Sequence, residues 1–384
     1  MLEKALQGKN TYWGWILFLI GVMIIGAICY VRQYIYGLGL TGMSRDVSWG
    51  FYIAQFTFFV GVAAGGVMLV LPYYVHDFKA FGKITILGEF MAIAAICMCL
   101  MFIIVDLGQP QRALNVLLHP TPHSMLFWDM IVLNVYLLLN IVIGWVVLHS
   151  QFKNAPAPKW IKAFIWISIP WAISIHTVTA MLYCGLPGRH FWLTAILAPR
   201  FLASAFAAGP ALLLIVSLIM KKVANFDAGD KAIQKLTTII AYAAIFNFFF
   251  VGLEFFVAYY SNLPGHMHTL DYLFFGLDGH DNLVSAMRFS TFIGIAATIM
   301  FLIPKCKQNT TLLPIMCVMI FVSLLIDKGI GFVLGGFVPS PLDYITEYVP
   351  TMNELAIVAS IWAAGAFILT ILYRIVIAVK NEEA

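Results

Sequence analysis

The chain has 384 residues, of which 62% are hydrophobic and 10% are charged, with a formal net charge of +4. About a quarter of the residues of an ordinary soluble domain are charged, so these proportions exclude a water-soluble fold. An outer-membrane-type barrel is excluded as well, because it would show short segments of alternating polarity. The excess positive charge lies in loop lysines, so we expect no nucleic-acid binding.

Ten long apolar runs follow one another along the chain. A helix needs ~20 apolar residues to cross a hydrocarbon core of ~30 Å, and it satisfies its backbone hydrogen bonds internally. The first run has no small-residue cleavage site behind it, so we interpret it as a helix rather than a signal peptide. The sequence predicts an all-α integral membrane protein with spans at about 12–31, 50–75, 84–105, 124–149, 160–183, 195–221, 234–261, 284–304, 312–334 and 354–378.

Lysine residues predict the orientation of these helices, because cytoplasmic loops retain positive charge. The N-terminus, every second loop and the C-terminus hold Lys4, Lys9, Lys79, Lys83, Lys153, Lys159, Lys162, Lys221, Lys222, Lys231, Lys235, Lys305, Lys307, Arg374 and Lys380. The opposite side holds Arg32, Arg45, Arg112, Arg189, Arg200 and Arg288, with Lys328 near a helix end. We therefore expect both termini in the cytoplasm and a multi-pass protein of the cytoplasmic (inner) membrane.

The loops predicted to lie outside differ in kind from the lysine-rich ones. They concentrate Arg, His, Asp, Trp, Pro and Gly, in patterns typical of ordered turns. The segments are 41–50, 106–124, 185–192 and 263–282. We expect chemistry or partner docking on this outer face.

Polar residues inside the predicted helices are candidates for function, because an ionisable group in a membrane is costly unless it is paired or hydrated. Asp129 lies ~7 Å into the fourth helix. At helical spacing it shares a face with Leu133, Tyr136 and Asn140, which predicts a polar stripe running inward. The alternative is that this stripe only forms hydrogen bonds between helices.

His176 is the one histidine well inside a predicted span, and it shares a face with Ser168, Ala172, Thr179 and Tyr183. A buried histidine often has a purely structural hydrogen-bonding role. In the same helix, however, Pro170 removes a backbone donor and can kink the backbone beside a cavity. We favour a functional role for His176.

Further titratable residues occupy the seventh and neighbouring helices. Asn247 and Glu254 lie seven apart, hence on one face, and Arg288 and the Asp327–Lys328 pair are expected at a similar height. Structural ion pairing and proton conduction both explain this group. Glu89 stands near the cytoplasmic end of the third helix, where it is a candidate for proton uptake or extends to the lipid headgroups.

No redox metal is expected in this chain. The six cysteines form no CxxC or CxxCH motif, and one intramembrane histidine cannot supply two axial ligands to a haem. His266, His268 and His280 fit no zinc spacing, and loop hydrogen bonding is their preferred interpretation. A quinone, by contrast, needs an apolar slot, hydrogen-bond donors and an acid/base group, which these outer polar residues provide.

Three segments resemble the NrfD/PsrC family of quinone-interacting membrane subunits, namely residues 41–66, 105–129 and 169–213. The ten-helix length and motif wording are most similar to the DsrP subfamily, found in the DsrMKJOP complexes of sulfur-metabolising prokaryotes; membrane subunits of periplasmic hydrogenases share the same plan. The resemblance implies a single polytopic domain over 1–384. Helices of about 50–183 and 195–334 would form two four-helix bundles, with 12–31 and 354–378 as peripheral helices.

The resemblance also implies a menaquinone pocket at the outer end of the first bundle. Trp49 and Tyr52 would be ring walls. Asp106, Gln109 and Arg112 would be polar groups at the pocket mouth, and Tyr136 would contribute from farther along the Asp129 stripe. Asp129 and His176 would exchange protons with the quinone, and Glu254 matches an acidic position of the second bundle. Arg45 and Asp46 would pair and orient their loop.

The mechanism implied is menaquinol oxidation with single-electron transfer to a docked iron-sulfur centre, or the reverse. The expected partners are a periplasmic ferredoxin-like iron-sulfur subunit, a multihaem cytochrome c, a haem b membrane subunit and a cytoplasmic iron-sulfur subunit. This chain would bind quinone as its redox species, without haem or iron-sulfur cluster. Two other functions remain open: a secondary transporter, and a scaffold that only anchors soluble redox partners.

Overall fold

The computed structural model describes residues 3, 7–74, 76 and 78–383, with side chains up to 380. Lys4 and Val75, which entered the predicted topology and second span, lie outside the described residues. The helices are α1 Asn10–Tyr36, α2 Phe51–Ala64, α3 Val67–Tyr74, α4 Thr85–Asp106, α5 Asn115–Leu118, α6 Met125–Phe152, α7 Ile161–Cys184, α8 Leu197–Ala224, α9 Asp230–Tyr260, α10 Pro264–Phe274, α11 Val284–Leu302, α12 Pro304–Gln308, α13 Leu312–Leu324, α14 Phe332–Gly335 and α15 Met352–Glu383.

Among the described residues, ten helical segments are long and apolar enough to cross a membrane, which confirms the ten predicted spans. The part of the chain that the structure describes contains no β-strand. Two spans are discontinuous. The second consists of α2 and α3 joined by a turn at residues 65–66, and the ninth runs from α13 through a π-helical segment, Leu325–Gly331, into α14. Both breaks lie in the interior of the protein.

The helices pack into two groups of four spans. The second to fifth spans (α2–α3, α4, α6 and α7) contact one another in a ring, which we call the first bundle. The sixth to ninth spans (α8, α9, α11 and α13–α14) form a corresponding second bundle. Helix α1 packs on α15, and α15 packs on α4 and α6. The last helix therefore flanks the first bundle, and α1 packs on the last helix.

The ten spans give the molecule two distinct faces. One face carries the long connections 37–50, 107–124, 185–196, 261–283 and 336–351, and we call it the long-loop face. The other face carries the short lysine-bearing connections, and we call it the lysine-rich face. The two bundles meet between these two faces, where α2 packs on α8 and on the π-helical segment.

A capping box fastens one long connection to the helices beneath it. The Thr351 hydroxyl accepts the Glu354 backbone N–H at 3.3 Å, while Glu354 accepts the Thr351 N–H at 2.8 Å, the reciprocal pattern that stabilises helix N-termini. Glu354 also accepts the Gly42 N–H at 2.8 Å and the Tyr348 hydroxyl at 2.5 Å. Burial and the Glu354 carboxylate raise the pKa of Tyr348, so Tyr348 remains a hydrogen-bond donor. Residues 42 and 348 are thereby held in fixed positions on the long-loop face.

The two bundles touch backbone to backbone at paired glycines. A Cβ added to Gly209 would lie 2.6 Å from the Gly65 Cα, closer than any real contact. We expect Gly209→Leu to destabilise the protein by about 1–3 kcal/mol through overpacking, measured as thermal unfolding of the purified chain in detergent. Gly252→Leu is the control, because a Cβ at Gly252 meets nothing within 4 Å; equal losses in the two variants would contradict this packing.

Candidate functional site

A buried carboxylate on α6 is the starting point of the candidate site. Asp129 is 1% exposed, and its Oδ1 lies 2.7 Å from the Thr179 hydroxyl of α7. The same hydroxyl lies 2.8 Å from the Ile175 carbonyl oxygen. A threonine hydroxyl has one proton to donate. When it donates to Ile175, Asp129 must itself be the donor and hence protonated, so Thr179 accommodates both protonation states of Asp129.

Thr179 belongs to a line of buried polar side chains along α7. Tyr183, Thr179 and His176 all lie on the buried face of this helix, as the helical period predicted. Seven residues separate the first from the last, which is about 10 Å along a helix. At the end near the long loops, the Tyr183 hydroxyl contacts the Thr57 hydroxyl of α2. This stripe of α7 runs from the rim toward the middle of the membrane.

At its inner end the stripe meets a lysine from the second bundle. His176 Nε2 lies 3.2 Å from Lys328 Nζ, and His176 Nδ1 is buried without a hydrogen-bond partner. Lys328 also donates to the Phe201 carbonyl oxygen at 3.3 Å and lies 4.4 Å from the centre of the Phe201 ring. Gly61 provides the room, because a Cβ there would lie 3.1 Å from Lys328 Nζ.

An ion triad, Glu254–Arg200–Asp327, occupies the interior of the second bundle. Arg200 Nη2 donates to both Asp327 carboxylate oxygens at 2.9 and 3.0 Å, and Nη1 contacts Glu254. The Arg200 side chain is 6% exposed and that of Glu254 is 11% exposed. A bidentate pair with a second carboxylate compensates much of the cost of burying these charges.

Sequence reasoning places Arg200 in the outer-side basic set and misses its part in this triad. A signal for that part is present, since two acidic residues within spans require a cation and Arg200 lies within the predicted sixth helix. Arg288, the cation expected near Glu254, instead donates to the Phe274 carbonyl oxygen at 2.8 Å and is exposed.

Two consecutive residues of the π-helical segment contact different bundles. Asp327 binds Arg200 inside the second bundle, and Lys328 contacts His176 of the first bundle. Single π turns inside α-helices frequently occur at functional sites. Gly329 packs directly on α2, where a Cβ would lie 2.9 Å from the Ala54 carbonyl oxygen. The segment therefore carries charged side chains at the boundary between the bundles.

An open cleft on the long-loop face leads toward the α7 stripe. It has a volume of about 280 Å³ and is lined by Ser48, Trp49, Leu186, Pro187, Gly188, Arg189 and Phe337. Trp49 is half-buried and lies edge-on to Tyr183, with ring centres 5.4 Å apart. It also stacks on Trp192 at 5.8 Å. The cleft is thus one aromatic ring away from Tyr183, the outermost member of the stripe.

Arg189 fixes the shape of this cleft. Its guanidinium donates to the Phe337 carbonyl oxygen at 3.0 Å and to the Asp46 carbonyl oxygen at 2.9 Å, and it lies 4.5 Å from the Phe337 ring centre. Partial burial lowers the pKa of Arg189 from its ordinary value. Three long connections are joined in this way. The expected Arg45–Asp46 pair is also present, at 3.9 Å and largely exposed.

Tyr52, a predicted ring wall, and Asp106, a predicted polar group of the pocket mouth, belong to a polar cluster beside the cleft. The Tyr52 hydroxyl donates to Gln33 Oε1 at 2.7 Å, and Gln33 Nε2 donates to the Val105 carbonyl oxygen at 2.7 Å. Asp106 follows Val105, and its Oδ1 is buried without a hydrogen-bond partner. Tyr52 and Asp106 therefore lie where α1, α2 and α4 meet.

The remaining predicted residues are spread over both halves of the first bundle. Gln109 and Arg112 are exposed on the long-loop face. Tyr136 is buried, as the stripe predicted, and its backbone carbonyl accepts the Asn140 amide at 2.8 Å. Of the predicted set, Trp49 contacts Tyr183 of α7, and Asp129 is hydrogen-bonded to Thr179 of α7. His176 lies on the same buried face of that helix.

Glu89 lies in the half of the first bundle nearer the lysine-rich face. It is 3% exposed, so it does not extend to the headgroup level. Its Oε2 has no hydrogen-bond partner and would lie 3.5 Å from a Cβ added to Gly144. A buried carboxyl group without a partner is costly to ionise, which favours a neutral acid at this position.

Within the described residues no three His, Cys, Asp or Glu side chains form a group that could hold a metal ion. The geometry brings together groups capable of acid–base chemistry: a carboxyl group hydrogen-bonded to a threonine, a histidine with one ring nitrogen free of hydrogen bonds, and a lysine. An aromatic cleft opens near one end of that series.

Comparison with known proteins places the chain among redox-complex membrane subunits. It is 27% identical over 253 residues to a putative dimethyl sulfoxide reductase membrane subunit of Halobacterium salinarum, covering 61% of this chain and 58% of that protein. It is 24% identical to an Hdr-like menaquinol oxidoreductase integral membrane subunit of Archaeoglobus fulgidus, covering 65% and 62%. It is 21% identical over 381 residues to a menaquinone reductase integral membrane subunit of Nitratidesulfovibrio vulgaris, covering 94% and 90%.

The chain thus spans about three fifths of the first two relatives and nearly the whole of the third. The sequence pattern of the family described as polysulphide reductase, NrfD, matches residues 39–333, well over half of the chain. With its ten apolar helices, the chain is a multi-pass integral membrane protein that belongs to the NrfD family.

Proposed function

We propose that the chain is the menaquinone-reactive membrane subunit of a multisubunit oxidoreductase, and that the quinone ring binds in the cleft at Trp49. The observation that carries this proposal is the position of Trp49 between the cleft and the α7 stripe. Trp49 lines the cleft and lies edge-on to Tyr183, and Thr179, one turn farther along the same helix, is hydrogen-bonded to Asp129. The names of two relatives, a menaquinol oxidoreductase subunit and a menaquinone reductase subunit, support it.

The cleft suits a naphthoquinone ring in size and chemistry. Small-molecule sites typically measure ~300–1,000 Å³ and are mainly apolar with a few polar groups; the cleft measures about 280 Å³, enough for the ring without its isoprenoid tail. Trp49 and Phe337 offer aromatic faces, and Ser48 offers a hydroxyl group. The unpartnered His176 Nδ1 fits a chain of groups that exchanges protons.

Oxidation of menaquinol to menaquinone releases two electrons and two protons. The electrons would pass singly to an iron-sulfur centre on a partner subunit docked on the long-loop face. Asp129 accepts one of these protons and becomes the donor to Thr179, whose hydroxyl then turns to the Ile175 carbonyl oxygen. The other proton passes to His176, whose Nδ1 has no hydrogen-bond partner. Trp49 and Tyr183 position the ring and exclude water. Quinone reduction uses the same groups in the opposite sense.

We assign the chain to the DsrP subfamily, with a role linked to sulfite or sulfur metabolism. The sequence motifs and the ten-helix length support this assignment, and a hydrogenase-type complex is the alternative. The partners proposed are a periplasmic ferredoxin-like iron-sulfur subunit, a multihaem cytochrome c, a haem b membrane subunit and a cytoplasmic iron-sulfur subunit. The long-loop face would then be periplasmic, with both termini in the cytoplasm. Copurification in mild detergent tests the partner set: a nickel hydrogenase in place of these subunits would overturn it.

Replacing Trp49 with alanine tests the ring site. Loss of an aromatic partner costs about 0.5–1.5 kcal/mol, so we expect menaquinone affinity to fall up to about tenfold. The measurement is a titration of the purified complex with a short-chain menaquinone analogue, read by calorimetry. Trp128→Ala is the matched control, because Trp128 is exposed and donates to the Pro122 carbonyl oxygen elsewhere on the long-loop face. If both variants bound the quinone as tightly as the unaltered complex, the proposed ring site would be rejected.

A secondary transporter is the second candidate, favoured by the discontinuous second and ninth spans, since transporters build central sites from broken helices. A transporter accumulates its substrate in vesicles without redox partners. We expect no quinone-independent uptake when the chain alone is placed in proteoliposomes. Uptake of a substrate ion under those conditions would favour the transporter over the redox subunit.

A further inference from the structure

Lys328 occupies the boundary between the two bundles and is 3% exposed. It lies on the π segment of the second bundle, yet its ammonium group reaches His176 of the first bundle at 3.2 Å. It also contacts the Phe201 carbonyl oxygen and the Phe201 ring. Neither of these contacts neutralises the positive charge of the lysine ammonium group as a carboxylate would. Among the described residues, no direct ion pair with a carboxylate therefore accounts for the buried lysine.

The charged and titratable groups around Lys328 come from several helices. Asp327 precedes it, Arg200 of α8 acts on it electrostatically, and Cys99 of α4 lies within electrostatic range. His176 faces it from α7, and Gly61 of α2 lies beside its ammonium group. Arg200 with its two carboxylates carries a net charge of −1, so a protonated Lys328 makes this buried group neutral.

The hydrogen bond between Lys328 and His176 determines the histidine tautomer. If the ammonium donates to Nε2, the neutral ring must carry its proton on Nδ1. Nδ1 is the buried ring atom without a protein partner. An imidazole that gains a proton on one nitrogen and loses one from the other transfers a proton across itself. The ring thus has one nitrogen toward the lysine and one free for exchange.

We propose that Lys328 and His176 form a proton relay that joins the first bundle to the Glu254–Arg200–Asp327 triad of the second. The relay deepens the proposed quinone chemistry and rests on it. During menaquinol oxidation it begins with a neutral Lys328 amine that accepts the His176 Nε2–H. A proton released in the first bundle bonds to His176 Nδ1, and the Nε2 proton passes to Lys328 Nζ. One N–H bond forms on each residue, one breaks on the histidine, and the triad gains its balancing cation.

The test uses the purified complex with Lys328→Arg and Lys328→Met. Arginine keeps the positive charge but does not release its proton in proteins, so charge and proton transfer are separated. We expect both variants to oxidise a menaquinol analogue at least about tenfold more slowly than the unaltered complex, within the range of general acid–base contributions. Menaquinone affinity should stay within about twofold in both. Ser323→Ala is the control, since Ser323 bonds to Ser290 within the second bundle, and it should retain full turnover.

Full turnover by Lys328→Arg would overturn the relay and leave Lys328 as a fixed counter-charge. Loss of quinone affinity in a folded Lys328→Arg complex would overturn it too, by making Lys328 a binding residue. Infrared difference spectra of the unaltered complex give a reading that does not depend on either variant folding: menaquinol oxidation should shift imidazole ring bands, and unshifted bands would reject the relay. If the unaltered complex binds no menaquinone, the proposed function itself fails, which is a separate result.

Discussion

Replacing Arg200 with methionine is expected to destabilise the folded chain by about 3–5 kcal/mol, the cost of leaving buried charges without their partner. Arg200 holds Glu254 and both oxygens of Asp327 in the second bundle. Without it, two carboxyl groups must either stay ionised in an apolar interior or take up protons. The measurement is thermal and denaturant-induced unfolding of the purified protein in detergent.

Two further variants make this expectation specific. Arg288→Met should change the stability little, because Arg288 is exposed and bonds to a backbone carbonyl oxygen. Adding Glu254→Gln and Asp327→Asn to Arg200→Met should restore part of the lost stability, since the unpaired charges are then removed. A stable Arg200→Met protein, or a triple variant no better than the single one, would show that the triad does not stabilise the second bundle.

Asp129→Asn is expected to lower menaquinol oxidation by about 10²-fold or more, the usual contribution of a positioned acid–base group. Asparagine has nearly the same shape and still accepts the Thr179 hydroxyl, so the fold and quinone affinity should persist. It cannot take up the proton that the carboxylate accepts. The measurement is steady-state turnover of the purified complex with a menaquinol analogue.

The matched control for this experiment lies on the same helix. Asn134 donates to the Met130 carbonyl oxygen one turn back, and Asn134→Ala should keep normal turnover. Thr179→Val should lower turnover less than Asp129→Asn, because it removes the hydrogen-bond partner and leaves the acid. Normal turnover in Asp129→Asn would assign Asp129 a structural role between α6 and α7.

The membrane fold was predictable because its signal is local. Each span needs about 20 apolar residues, and all ten predicted runs contain a spanning helix. The breaks in two spans were harder to predict. Residues 65–66 and Leu325–Gly331 lie inside apolar sequence. Their irregular backbone is tolerated only because it is buried in protein, a condition set by neighbouring helices far away in sequence.

The polar stripe of α7 and the buried face of Asp129 followed from the 3.6-residue period, and the structure places both as expected. The contacts between the two bundles could not be predicted from the helical period. Lys328 and His176 are 152 residues apart, and Arg200 and Asp327 are 127 apart. Periodicity within a helix shows which side is buried, whereas the partner on another helix depends on how the bundles pack.

Tyr52 illustrates a further limit of prediction from sequence. The resemblance implied a ring wall beside Trp49, and the two residues lie three positions apart. Trp49 precedes α2 and packs on Trp192, while Tyr52 lies in the first turn of the helix and bonds to Gln33 of α1. The change from loop to helix between them directs their side chains to different neighbours.

The proposed function depends on a quinone ring entering the molecule beneath the long-loop face. Photolabelling of the intact complex with an azido-menaquinone analogue, followed by peptide mapping, tests this most directly. We predict labels in the two segments that line the cleft, residues 48–49 and 186–189. Labels confined to the half of the first bundle near Tyr74 and Glu89, with both cleft segments unmodified, would contradict it.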